Sequence, residues 1–528
     1  RKAPKFFDVV TYTGTGSATT ISHNLGSVPG CIIVKRTDST ENWKVYHRAI
    51  HPTNNGSGYV INLNLTNARA ATTIWSSTEP TSTEFSISGS STVNASGGTY
   101  VAYLFAHNDG DGDFGPTGDQ DIIKCGSFTA DGSGGVSVDL GFEPQWIMYK
   151  PTSTTGPWVI VDSMRGWTAN SESRTLTAES SGAEQSVVNL SSSYPLNRRS
   201  DGFDTSNALY ASQTYIYIAI RRGPMAVPES ATDVFEQAFA TSPGNPNYVS
   251  GFPVDAALRV FRDGSSVYPQ MSSRLTQGKY LKTSSTAAEV SFSSWTFDYQ
   301  DGVIDGTSAS SLLLTYMWKR APNYFDVVAY HGNSTSGRTV SHNLGVAPEM
   351  IWVKNRDSPV DWWCYHKDLG NTKYVKLNTT DAAVTDSTAW NNTTPTDTVI
   401  TLGNSGRVNY SNDDYIAYLF ASLDGVSKVG SYTGNGTSTG DAQNIDCGFS
   451  SGARFVLIKA TSVAYGWMLF DTERGITSGN DSLLLLNDTD AETTAFDSVD
   501  PYSSGFTAVQ GPYNVNQNGV SYIFYAIA

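Results

Sequence analysis

Short apolar runs closed by a lysine or arginine recur along this chain: CIIVK, WIMYK, LRVFR, MIWVK and FVLIK. A glycine turn, often with proline, precedes each run, and a polar loop follows it. Runs this short, rich in β-branched residues and bounded by turn formers, predict buried strands rather than helices. The segment after the loop, WKVYH (43–47), WVIVD (158–162), WWCYH (362–366) or WMLFD (467–471), predicts the next strand. Alternation then puts Trp43, Val45 and His47 on one face, and likewise Trp158, Ile160 and Asp162; Trp362, Cys364 and His366; Trp467, Leu469 and Asp471. Histidine in two copies thus holds the place of aspartate in two others. The clearest copy spans Ser341 to His366, and its echo spans Ser22 to His47. The fifth copy (251–272) is worn, with Tyr268 in the tryptophan place and Ser272 in the aspartate place.

Recurrence at about 100 residues, the usual size of a domain, predicts tandem modules. Two kinds alternate. Type A closes on YVAYLFA or YIAYLFA; type B closes on YIYIAI or YIFYAIA and carries D-x-x-R-G after the tryptophan strand. The expected order is A, B, degenerate B, A, B: 1–106, 120–223, 232–320, 321–421 and 427–528, with 107–119 an acidic, glycine-rich linker. The first residues, RKAPKFFDVVTY, repeat KRAPNYFDVVAY (319–330), which follows the closing strand of module three. They read as a module junction, and predict that a longer polypeptide precedes Arg1. Regular turn signals such as TGTGS, ADGSGG and NQNG, with no helical periodicity, predict an all-β fold of jelly-roll-like β-sandwich modules.

Composition agrees: 16% of residues are charged and 12% aromatic, as strands between polar loops require. A net charge of -15 without a Lys/Arg cluster argues against a nucleic-acid partner. No apolar run reaches the roughly 18 residues of a membrane-spanning helix, so no membrane insertion is expected. Cys31, Cys125, Cys364 and Cys447 fall at non-equivalent places in their copies and read as buried thiols, not as disulfides or metal ligands.

Candidate chemistry is sparse. The pairs Asp162/Arg165 and Asp471/Arg474 read first as structural ion pairs pinning the loop after the tryptophan strand, and second as hydroxyl-binding groups for a sugar. Asp109, Asp111 and Asp113 alternate as in a calcium loop, but Gln120 stands where the bidentate glutamate belongs; calcium is the one cofactor they suggest. His23, His47, His342 and His366 lack a third recurring ligand for a metal. Trp75, Trp167 and Trp390, in Ser/Thr-rich surroundings, are the candidates for exposed glycan-stacking surfaces. No nucleophile elbow, zinc helix or repeated carboxylate pair appears, and no enzyme is expected.

The signature GSYTGNG (Gly430 to Gly436), followed by Gly448–Phe449, a strand ending in Lys459, Trp467, D-x-x-R-G and a closing aromatic strand, resembles a repeat domain of phage tail and tail-fibre proteins from marine bacteria and cyanobacteria. The resemblance covers modules one, two, four and five, and module three only loosely. It implies β-sandwich modules, an extracellular location on a virion, homotrimeric assembly, contact with other virion proteins, and adhesion to a host-surface glycan or protein receptor. It carries no catalytic residues. The competing expectations are a purely structural virion component and a glycan depolymerase.

Overall fold

Among the described residues the expected strands pair into five six-stranded sheets that share one topology. In the copy nearest the consensus, the sheet runs Phe325–His331, Asp414–Phe420, Met350–Asn355, Trp363–His366, Lys373–Lys376, Val384–Thr385, antiparallel throughout. The closing strand therefore lies inside the sheet, between the first strand and the lysine-ended strand. A two-stranded sheet, Arg338–Ser341 with Val399–Leu402, covers the other side of the core and completes a sandwich. The remaining four six-stranded sheets have the same order, each with a small partner sheet of two or three strands. This computed structural model describes residues 2–528 apart from 52, 54–55, 116, 170–172, 188–195, 224–225, 242–244, 265–266, 293, 307–309, 438–442 and 512–514. Strand makes up 43% and helix 3%, the helices being single turns such as Ser387–Trp390, so the fold is all-β.

Register fixes which residues are equivalent. Cys31 faces His47, Trp146 faces Asp162, Met350 faces His366 and Phe455 faces Asp471 across the same strand pair. His and Asp do share one place. In the worn copy, Ala256 faces Ser273, and Arg259 faces Gln270. The aspartate place therefore belongs to Ser273, not Ser272. The tryptophan place, opposite Val260, falls to Pro269 rather than Tyr268. Degenerate sequence hid a one-residue offset, which only the pairing resolves.

The chain divides into two compact units, Arg1–Met225 and Ala226–Ala528. The first holds two of the six-stranded sheets and the second holds three. All four cysteines are buried and free.

Candidate functional site

Within each unit, adjacent modules meet along a seam built from the repeated motif. In the first unit, the Trp158 indole Nε1 donates to the Asn62 carbonyl at 2.9 Å, Lys150 Nζ donates to the Thr66 carbonyl at 3.0 Å, and the Arg69 amide donates to the Thr152 carbonyl. The second unit repeats this twice. Trp362 donates to the Lys282 carbonyl, Lys354 to that of Thr286, and the Glu289 amide to that of Arg356. Trp467, Lys459 and the Ala383 amide serve the Lys376, Thr380 and Thr461 carbonyls in the same way. Lys150, Lys354 and Lys459 are fully buried, and burial lowers the pKa of each to about 8. Lysine and tryptophan here recognise neighbouring backbone.

A third seam closes the second unit into a ring of three. The Glu492 amide donates to the Arg262 carbonyl, and the two side chains pair at 2.6 Å. Tyr316 Oη donates to Asp471 Oδ2 at 2.6 Å, and Thr283 Oγ1 to the Leu486 carbonyl at 2.8 Å. Aromatic side chains from all three modules meet at its centre: Trp318 lies 6.1 Å from Phe325 and 5.9 Å from Phe455, and Phe420 lies 4.9 Å from Tyr525. At this seam Val260 and Pro269 stand where the others have lysine and tryptophan. The missing bulk leaves a pocket lined by these two with Leu469, Leu485, Asp488 and Asp490.

The shared His/Asp place also works across seams. His47 Nδ1 accepts the Ala49 amide, which leaves the proton on Nε2 to donate to the Tyr217 carbonyl at 3.0 Å. Burial lowers its pKa to about 4, and that of His366 likewise. Asp471 pairs with Arg474 at 2.5 Å with both side chains fully buried; Asp162 pairs with Arg165 at 2.5 Å, at 18% and 24% exposure. Both expected ion pairs therefore form. In each, the carboxylate accepts the arginine amide, which ties down the loop, and Gly166 and Gly475 follow at positive φ. His342 Nε2 donates to the Thr396 carbonyl, and its Nδ1 accepts the Leu344 amide.

Two expectations are corrected. Trp75, Trp167 and Trp390 are buried, at 2%, 0% and 2% exposure. Their indole Nε1 groups donate to the Tyr59, Leu196 and Lys373 carbonyls, and Trp75 and Trp390 pack edge-on against Tyr46 and Tyr365. The Ser/Thr-rich segments fold the indoles inward as core plugs, so none of the three is an exposed stacking surface. The carboxylates of the aspartate run face lysines: Asp113 pairs with Lys5 at 2.9 Å, and Asp109 lies 4.0 Å from Lys124. Asp111 accepts the Asp109 amide, and the amides of Gly110 and Gly112 go to Asp121. Among the described residues no group of three His, Cys, Asp or Glu side chains is placed to hold a metal, so Asp109, Asp111 and Asp113 do not form the expected calcium site.

Among the described residues the most exposed aromatic side chains are Tyr210 and Tyr410, at 42% and 57% exposure. They hold one position in two modules. The Tyr210 amide donates to Tyr215 Oη, the Tyr410 amide to Tyr415 Oη, and the same bond links Ala95 to Tyr100 and Gln517 to Tyr522. A buried tyrosine of the closing strand thus pins a loop tip whose outer residue varies, the usual arrangement of a recognition loop on a rigid scaffold. The spacing Tyr-x-x-x-x-Tyr was the available sequence signal.

These features define a class, an all-β protein of tandem β-sandwich modules with variable loop tips. Residues 3–224 and 308–528 match the family described as a domain of unknown function, DUF7483, and the chain belongs to that family. No curated protein matches the chain.

Proposed function

We propose that this protein is a tail-fibre or appendage component of a phage virion, which adheres without catalysis to a glycan on the host surface. The observation that carries this reading is the pair of exposed tyrosines, Tyr210 and Tyr410, at one pinned loop position in two modules. A half-exposed ring held on a rigid base stacks on a sugar face at little entropic cost. Gly156 packs beside this tip, where a Cβ would lie 2.5 Å from Pro151 Cγ and 3.2 Å from the Tyr210 ring. Repetition supports adhesion too. Two weak sites on one chain, multiplied over a homotrimer, raise avidity without new contacts. A chain charge of -15 suits an uncharged or polar saccharide better than an acidic one.

The test is binding of the whole chain to host-cell polysaccharide, compared with Tyr210→Ala, Tyr410→Ala and the double variant. Each single change is expected to weaken binding about tenfold, the worth of one stacked ring, with the melting temperature unchanged. A double variant that binds as the parent does, or new reducing ends released from the polysaccharide, would overturn the reading.

A further inference from the structure

The closed ring of the second unit gives a standard against which to read the first. In the ring, every module offers one edge to the next and receives one from the module before. Among the described residues of the first unit only one such seam is made, and two edges stay open. The first open edge belongs to the module of residues 7–106. Its Trp43 is only half-buried and its indole Nε1 meets no acceptor among the described residues, whereas Trp158, Trp362 and Trp467 are buried and bonded across a seam. Lys35 is half-buried, whereas Lys150, Lys354 and Lys459 are fully buried. Thr37, at the position whose carbonyl receives an amide from the neighbouring module in all four seams, is exposed.

The second open edge belongs to the module of residues 123–221. Glu184 stands seven residues after Thr177, as Arg69, Glu289, Ala383 and Glu492 stand seven after Asn62, Lys282, Lys376 and Leu485. Those four donate their amides across a seam; residues 181–185 are exposed. Asp162 accepts no tyrosine hydroxyl of the kind Tyr316 gives Asp471, and Arg165 Nη1 is buried without a partner. Between the edges lies an apolar face. Phe7, Phe105, Trp146 and Ile160 are half-buried, and their ring counterparts Phe325, Phe420, Phe455 and Leu469 are all 0% exposed.

We infer that this face is the docking site for one further β-sandwich module of the same fold, of the kind formed by residues 235–318. It is carried on the polypeptide immediately ahead of Lys2. The argument for that occupant is continuity with a seam already present. In the second unit the module of residues 235–318 fills this place, and its chain leaves through a turn in which Ala321 bridges Phe325 and Arg320 pairs with Asp326. In the first unit Ala3 bridges Phe7 and Lys2 pairs with Asp8, so the chain enters through the same turn. A second copy fits poorly, because each first unit brings two modules and the opening takes one.

The test is hydrogen exchange on the 528-residue chain and on the same chain extended at its start by a duplicate of its own residues 226–318. In the 528-residue chain, segments 37–43 and 177–185 exchange fast, and the corresponding ring segments 356–362 and 376–384 are protected. In the extended chain, amides of both open segments gain about tenfold or more in protection. Trp43 fluorescence then shifts to the blue and loses acrylamide quenching. An extended chain whose added module is itself protected while both edges still exchange fast overturns the inference. Should the added module not fold, Trp43→Ser and Trp158→Ser in the 528-residue chain decide. Equal loss of thermal stability overturns the open face, and loss in Trp158→Ser alone supports it. Edges already protected in the 528-residue chain, with a mass that rises with concentration, overturn the assignment in favour of a second copy.

Discussion

Truncating Asp471 removes a carboxylate that accepts hydrogen bonds from the Arg474 amide at 2.9 Å, from Arg474 Nε at 2.5 Å and from Tyr316 Oη at 2.6 Å. Arg474 is then left buried. Glu492 at 3.3 Å and the Leu469 carbonyl at 2.9 Å still hold its other nitrogens. Breaking a fully buried pair costs about 3–5 kcal/mol, and these remaining contacts place Asp471→Ala at about 3 kcal/mol. Asp162→Ala removes the same motif where the pair is 18% and 24% exposed, so water rehydrates the freed guanidinium and the cost falls to about 1 kcal/mol. The difference of about 2 kcal/mol is roughly 30-fold in an opening equilibrium. Hydrogen exchange over 467–475 in one variant and 158–166 in the other reads each site in its own unit. Equal loss in the two variants would refute the reasoning, because it would mean that burial by the third module of the ring adds nothing.

Trp362→Phe and Trp467→Phe each lose one indole bond across a seam and are expected to cost about 1 kcal/mol, with Trp43→Phe close to neutral; denaturant titration checks all three. His47 and His366 titrate at about 4 in the fold against 6.5 in the unfolded chain, so the unfolded chain binds more protons between those values. Their contribution is lost as pH falls from about 6.5 to 4, and His47→Gln should flatten that slope in the first unit, read by thermal melts at stepped pH. Lys459 titrates at about 8 against 10.5, so its contribution to stability rises between those values. The stability of the parent relative to Lys459→Met should therefore increase from pH 8 to 10.

The strands were legible because their pattern is local: a glycine turn, an apolar run, a lysine, then a tryptophan. Period two also placed His47 and Asp162 at one position before any pairing was known. Trp75, Trp167 and Trp390 were misread because burial depends on where a segment folds back, and a run of serines and threonines around an indole says nothing of the carbonyl waiting for its N–H. The lysines and tryptophans of the seams reach into the neighbouring module, which the local pattern does not reveal. Their acceptors are backbone carbonyls 68 to 96 positions away, and backbone leaves no trace in composition. Tyr210 and Tyr410 escaped notice for the opposite reason, since the tyrosine that identifies each loop tip is the buried one five residues later.

The three seams of the ring differ in how far the chain must travel to make them. Arg356 meets Glu289 across 67 residues, and Lys459 meets Thr380 across 79, but Arg262 must find Glu492 across 230. Closing the longest of these loops costs about 1 kcal/mol more than closing the shortest, and it waits until the intervening modules are in place. That same seam has valine and proline where the other two have lysine and tryptophan. The joint between the third and fifth modules is thus the one closed over the greatest length of chain, and it is held by the Arg262–Glu492 and Tyr316–Asp471 contacts in place of the lysine and tryptophan that fasten the other two.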